Sequence, residues 1–453
     1  MGYDVQQTRD GGYVVVGETH VGPNVIMTLW ILRLDSLGDT IWTRKYRPSG
    51  WADCGTAVTV TPDQGFLVAA WAAGIDTLTP GTIYVLRTDS LGDTLWSRFY
   101  RFGTSDEEVF RVIPTADGNY VLAGYSIRHS CLYALLFKID GLGDTLWART
   151  YGDSASGGAY GGCVAQTPDH GFILSGFVIA APQGAQGLLL RTDSMGNPLW
   201  TRTYGGCGDD EFGADNAPNG FIAVGRTDSY GAGGSDAWVL WLNDSGDTIR
   251  TRTYGGPEDD DGRGQPTFGG GCIIASQSFS FGAGACDVWL VKTDSVGDTE
   301  WTRTFGGPGW DGPNYVRQTR DSGYIIVGST NSFSAYNGVY LIKTDQQGMA
   351  GIETGPVETL KAAPLQPLVQ TPNPTRPGST IRYFLPRSGT ARLDLFDVTG
   401  RRVSEFVQET QGTGWHEVSL APDLSSGTFF LRLVSRGQAA TRRVVVVSDN
   451  ERR

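Results

Sequence analysis

The sequence predicts an all-β chain, a seven-bladed β-propeller followed by a small immunoglobulin-like β-sandwich, and three observations predict it. The 453 residues hold 64 Gly, 21 Pro, 13 Trp and 18 Tyr against 4 Met, which suits short strands and turns better than helices. The segment Asp35-Ser36-Leu37-Gly38-Asp39-Thr40-Ile41-Trp42 recurs at Asp89–Trp96, Asp140–Trp147, Asp193–Trp200 and Asp294–Trp301, with degenerate copies at Asn243–Arg250 and Asp345–Ile352. Its glycines, 38, 92, 143, 196, 246, 297 and 348, are spaced 50 to 54 residues apart, the length of a four-stranded blade.

Each unit reads as four strands in order. A first strand such as Asn314–Thr319 ends at an Asp/Gly turn, and an apolar second strand follows, as in Tyr324–Gly328. The third strand, for example Trp289–Lys292, is nearly all apolar, which suits a strand covered on both faces. The Asp-Ser-x-Gly-Asp-Thr turn reverses the chain into a fourth strand with a fixed pattern. That pattern is Trp42/Arg44/Tyr46, Trp96/Arg98/Tyr100, Trp147/Arg149/Tyr151, Trp200/Arg202/Tyr204 and Trp301/Arg303/Phe305, with Arg252/Tyr254 in the degenerate fifth unit. A period of two places the three side chains on one face, where rings and guanidinium stack as a structural ladder.

Trp-x-Arg-x-Tyr strands number six against seven of the other three. Residues 349–371, rich in Pro, Gly, Ala and Gln, read as a linker, so the propeller of residues 1–348 is expected to lack one closing strand. That strand, and a signal peptide, are expected upstream of Met1 in a longer parent chain; a strand from residues 349–361 or an open ring are the alternatives.

Net charge is −12; residues 363–453 hold 12 Arg against 8 Asp and Glu, so residues 1–362 carry −16. An acidic body argues against nucleic acid as a partner. No apolar run approaches the length of a transmembrane helix.

Residues 372–447 alternate in polarity and are punctuated by turn residues, which suggests about seven short strands in a sandwich, before a tail of residues 448–453. Their motifs, in order, are Asn373-Pro374, Leu385-Pro386, Asp397-x-x-Gly400-Arg401, Gly414-x-His416 and Ser426-Gly427-x-Phe429-Phe430. This stretch resembles the C-terminal sorting domain, type A, of the bacterial type IX secretion system, a relative of the immunoglobulin-like domain of the flagellar hook-capping protein. The resemblance implies export to the bacterial surface or beyond, with the secretion machinery as partner. The repeat region resembles secreted repeat proteins, a likeness that implies no activity.

Chemistry is harder to find. His20, His129, His170 and His416 form no metal-ligand spacing, and Gly307–Gly312 matches Gly-x-Gly-x-x-Gly but opens no helix and reads as an inter-blade turn. The acidic pairs Asp209-Asp210 and Asp259-Asp260 are candidates for calcium, with solvated turn residues as the alternative; no other cofactor is indicated. Cys163 with Cys207, or Cys272 with Cys286, are candidate disulfides. Trp51, Trp71, Trp310 and Trp415 fall outside the repeated positions and are read as buried packing. The expectation is an exported scaffold or binding propeller with a glycan or protein ligand. A glycan-active or quinone-dependent propeller enzyme, or a purely structural surface component, are the alternatives.

Overall fold

The chain was analysed as a computed structural model that describes residues 1–21, 26–50, 52–73, 80–152, 158–180, 182, 184–333, 338–354, 368–370, 375–385, 389–397, 401–412, 414–422, 424–435 and 438–447. It divides into two compact units, Met1–Ala350 with Thr354–Leu360, and Gly351–Glu353 with Lys361–Arg453. The described residues contain strands and no helix.

In the first unit, successive groups of four strands form antiparallel sheets in the order of the chain; the fifth and sixth are joined by one parallel bridge, Asp236 with Asp260. The third sheet is representative, with strands Glu107–Pro114, Tyr120–Arg128, Cys131–Ile139 and Thr145–Tyr151. Its inner strands are buried on both faces, as Leu135, Leu136 and Phe137 are in succession, which is why they lack the alternation of a one-sided sheet. The reversal into the fourth strand is set by Asp140, whose carboxylate accepts the amides of Leu142 at 2.8 Å and Asp144 at 2.9 Å while Gly143 takes φ +84°. The same bonds recur at Asp35, Asp89, Asp193, Asn243, Asp294 and Asp345.

Adjacent sheets share apolar cores. Val16 and Leu29 of the first pack with Val68 and Leu86 of the second, and comparable clusters join each later sheet to the next. Val5, Val15 and Leu32 of the first sheet share a core with Ile325, Val327 and Leu341 of the last.

The fourth-strand motif is the clamp between neighbours. Trp96 lies against Gly143 of the next sheet's turn, where an added Cβ would stand 2.9 Å from the indole ring. Tyr100 donates its hydroxyl hydrogen to the Gly143 carbonyl at 2.6 Å. Tyr46, Tyr151, Tyr204 and Tyr254 make the same bond to Gly92, Gly196, Gly246 and Gly297. The arginine between them is less uniform than a ring-guanidinium-ring ladder. Arg44, Arg202 and Arg303 lie 5.9, 5.9 and 5.5 Å from the ring centres of Trp42, Trp200 and Trp301, whereas Arg98 and Arg252 pair with Asp144 and Asp298 of the following turn and Arg149 donates to the Ala148 carbonyl.

The fifth unit, degenerate in sequence, keeps the clamp by exchange. Elsewhere a cation on the third strand faces the tryptophan of the fourth, as Arg87 faces Trp96 and Lys292 faces Trp301. Here Trp241 stands on the third strand and Arg250 on the fourth, still opposite each other, with the guanidinium 5.9 Å from the ring centre. Trp241 supplies the surface against which Gly297 packs.

The segment read as a linker is in part structured. Ala350–Thr354 is the fourth strand of the last sheet, and Ala350 packs on its core. The open edge of that sheet offers unpaired backbone groups, and five residues without the Trp-x-Arg-x-Tyr side chains suffice to cover them. This place was expected to fall to a strand upstream of Met1. Leu368–Gln370, also within the expected linker, pairs with Thr380–Leu385.

The second unit has two sheets, one of Leu368–Gln370, Thr380–Leu385 and Gly414–Ser419, the other of Arg402–Gln411, Gly389–Asp397, Gly427–Ser435 and Gln438–Val446. Ile381 and Tyr383 of the first share one core with Leu393, Leu431, Leu433 and Val444 of the second.

The clamp predicts unequal costs at two glycines of similar conformation. Gly118 (φ +80°) has open space where a Cβ would go, and Gly143 (φ +84°) faces Trp96. Gly118→Ala should cost about 1 kcal/mol from the left-handed backbone alone, and Gly143→Ala about 2 to 4 kcal/mol because the ring must also move. Urea unfolding of the two variants measures this, and equal losses would remove the ring contact from the account.

Candidate functional site

The first strands of the repeat are Gly2–Gln7, Asp53–Val60, Glu107–Pro114, Ala159–Gln166, Asp210–Ala217, Asp260–Pro266 and Asp311–Gln318. All contribute to the wall of one cavity of about 880 Å³, within the range of roughly 300 to 1,000 Å³ typical of small-ligand sites. A regular strand would present alternate residues to such a cavity. Five of these strands instead carry a β-bulge at the same point, and the extra residues are Tyr3, Thr56, Phe110, Gly162 and Asn314. Each of the five lines the cavity, as expected of a bulge that re-aims a side chain. The fifth and sixth sheets pair without a bulge there. The cavity is therefore asymmetric in both backbone and side chain, although the repeat around it is regular.

A glycine in the second strand marks a close backbone approach. It faces four of the five bulges, Ala69 and Ala70 face the other, and at Gly225 of the unbulged fifth sheet a Cβ would come as close, 1.9 Å from the Glu211 carbonyl oxygen. At Gly124 a Cβ would meet the Glu108 carbonyl oxygen at 1.8 Å, and at Gly176 that of Tyr160 at 2.0 Å. This was the signal available in the sequence, since an isolated glycine within an apolar strand marks a bulge or a close backbone approach.

One side of the cavity is aromatic. Phe110, Tyr125, Tyr160 and Phe177 form a half-buried platform, with ring centres 5.1 Å apart for Phe110 and Tyr160, 5.5 Å for Tyr125 and Tyr160, and 4.7 Å for Tyr160 and Phe177. Trp71, expected as buried packing, also lines the cavity and is only half-buried. Carboxylates surround the rings. Glu211 is paired with Arg226 at 3.2 Å. Burial pushes Glu108 up to about 7, aided by repulsion from Asp106 and opposed by a hydrogen bond from Tyr125.

Arg111 forms the opposite chemistry. It lines the cavity, is 7% exposed, and stands 5.0 Å from the ring centre of Tyr315, which Arg317 approaches at 4.6 Å. Its Nε and Nη1 have no hydrogen-bond partner, and it makes no ion pair among the described residues. Asp4 is already engaged by the amides of Val5 and Val58 and by Arg317. Burial opposes the charge on Arg111, but attraction from Tyr315, Cys163, Asp4 and Asp215 outweighs it and raises its pKa. The Tyr315 hydroxyl and Cys163 thiol are themselves pushed up by burial.

The other residues singled out from the sequence lie elsewhere. The fourth-strand Trp, Arg and Tyr side chains sit between sheets, and none is among the described residues lining the cavity. The four calcium candidates each hold a turn. Asp210 is fully buried and accepts the Gly206 amide at 2.9 Å and the Ser229 hydroxyl at 2.6 Å; Asp260 accepts the Gly256 amide at 2.7 Å and the Ser278 hydroxyl. Asp209 and Asp259 accept the amides of Ala185 and Ser235. Among the described residues no three acidic, His or Cys side chains converge as a metal ion requires. Neither candidate disulfide is formed: all six cysteines are free thiols, with Cys272 beside the Thr293 hydroxyl at 3.2 Å.

In the second unit, Asn373, Pro374 and Gly400 lie outside the described residues. Asp397 accepts the backbone amide of Arg401 at 3.1 Å and its Nε at 3.0 Å. His416 stacks on Tyr383, ring centres 5.3 Å apart, and its Nε2 lies 2.9 Å from the Gly412 carbonyl oxygen. Gly414 and Gly427 each begin a strand; Phe429 is buried in the core, and Phe430, on the other face, is half-buried.

No family model matches the chain, and no curated protein does. Among solved structures it is similar to a protein of unknown function from Dyadobacter fermentans, at 13% identity over 67% of this chain and 93% of that one, with a TM-score of 0.41. It is also similar to the acylaminoacyl peptidase of Pyrococcus horikoshii, at 9% identity over 85% of this chain and 58% of that one, TM-score 0.45. The polysaccharide lyase Uly1 aligns at 10% identity over 93% and 90% of the two chains, TM-score 0.33. At scores below 0.5, function has to be argued from this chain's own residues.

Glu108 makes the stability of the first unit depend on pH. Its folded pKa, about 7, lies above the ordinary value of 4.5. Its stabilising contribution is therefore full below about pH 4.5 and lost as pH rises through about 7. Glu108→Gln should leave stability nearly unchanged at pH 4 and raise it at pH 8, by at most about 3 kcal/mol. Urea midpoints at both pH values check this; a difference that does not change with pH would refute it.

Proposed function

We propose that the first unit is a closed, seven-bladed propeller that acts as a binding module, and that the second unit is a type IX sorting domain that takes it to the surface of a bacterium or beyond. The observation that carries the binding role is the asymmetric cavity at the first strands. Closure is supported by the core that the first and last sheets share. It is further supported by Arg317 of the last sheet, which donates to the Val5 carbonyl at 2.7 Å and pairs with Asp4 at 3.1 Å. A structural role alone would leave no reason for half-buried rings and charged groups to face a cavity while the clamps between sheets do the structural work.

A second reading, an enzyme acting on glycans, is favoured by one observation. Glu108 titrates near neutrality inside the cavity, the range in which a carboxyl group serves as general acid or base. Binding without turnover remains the primary reading because one such carboxyl is not a catalytic set.

The full chain should bind at least one member of a broad polysaccharide array, and Tyr160→Ala, with an unchanged melting temperature, should weaken that binding about tenfold or more. An array on which nothing binds above background would overturn the glycan-binding role. For export, a reporter preceded by a signal peptide and followed by residues 361–453 should reach the surface of a bacterium that has type IX machinery. Retention of the reporter in the periplasm would overturn the sorting assignment.

A further inference from the structure

The cavity places two demands on any ligand, and they differ in sign. Arg111 is a guanidinium in a 93%-buried side chain with donors left unmatched. Buried N–H donors without acceptors are costly, and the planar fork matches a carboxylate, to which it can donate two parallel, charge-assisted bonds. Arg263 adds a second, exposed cation to the lining. Around the aromatic platform the need is reversed. Glu18, Asp106 and Glu108 line the cavity and offer acceptors, with Glu18 Oε2 buried and unpartnered. Such a group calls for hydroxyl or N–H donors.

A ligand that meets both demands carries a carboxylate and several hydroxyls on a body whose apolar face can lie on rings. Building on the binding role proposed above, we infer that the cavity takes an acidic saccharide, a chain containing uronate units. The carboxylate of one unit is received by Arg111, the C–H face of a pyranose packs on Tyr160 and its neighbours, and ring hydroxyls donate to the carboxylates of the wall. An acidic peptide would satisfy Arg111 but would bring further carboxylates toward Glu18, Asp106 and Glu108 without the hydroxyl donors they need, and the saccharide is favoured for that reason. Tyr315, also in the lining, holds the Arg111 guanidinium against its face.

The test is calorimetric titration of the full chain at fixed ionic strength with tetramers of glucuronate and galacturonate, with the same tetramers after reduction of their carboxyl groups to alcohols, and with hexaglutamate. A uronate tetramer should bind at least tenfold more tightly than its reduced form and than hexaglutamate. Arg111→Gln should abolish that preference, Arg111→Lys should retain part of it, and Tyr160→Ala should weaken both forms together. The ligand comparison on the unmodified protein decides the matter even if an Arg111 variant does not fold. Equal binding of acidic and reduced forms would overturn the inference and leave the binding role standing, as would binding of neutral glycans alone. Tighter binding of hexaglutamate would overturn the saccharide assignment. Failure of every saccharide to bind, on the array as well as here, would overturn the glycan-binding role as well.

Discussion

The structure of the first unit depends on one contact repeated between neighbours: an indole ring laid against a turn glycine of the next sheet, with a tyrosine hydroxyl donated to that glycine's carbonyl. A four-stranded sheet of this length cannot bury its own faces, so each must be held at a defined distance and angle from the next. The glycine is constrained twice, by positive φ in the Asp-headed turn and by the ring that fills its Cβ position. The fifth unit shows that the contact itself matters more than the position of its residues. Trp241 and Arg250 exchange strands, and the ring still reaches Gly297.

A scaffold held through its fourth strands leaves its first strands free to vary. The bulges exploit that freedom. Each adds one residue opposite a second strand whose backbone passes closely, often at a glycine, and directs that residue into the cavity. The bulged residues range from aromatic (Tyr3, Phe110) through polar (Thr56, Asn314) to glycine (Gly162), whereas the clamp residues on the fourth strands are nearly invariant from unit to unit. Uniformity where sheets pack and variety where strands line the cavity is the division expected when scaffold and recognition occupy separate strands.

Burial decides how individual groups in the cavity behave. Glu108 and Arg111 are three residues apart on one strand, yet burial pushes the first toward neutrality, whereas around the second the attraction of Tyr315, Cys163, Asp4 and Asp215 outweighs burial. Asp210 and Asp260, conspicuous in sequence as acidic clusters, are tied to amides and hydroxyls of their own turns and have no part in the cavity.

The sequence by itself determined the repeat, its period, the four strands of each unit and the change of pattern at the second unit. Those features rest on local chemistry, the Asp-x-x-Gly turn and a period of two, which repetition makes legible. It also marked the tryptophan and tyrosine positions, although not that their partners are glycines some 45 residues onward in the next sheet, as Tyr100 is to Gly143. Only the tertiary structure decided which residues meet at the cavity, because it is assembled from strands about 50 residues apart. It also placed a fourth strand at Ala350–Thr354, where composition reads as linker, since the unpaired edge of a sheet recruits backbone whatever its side chains.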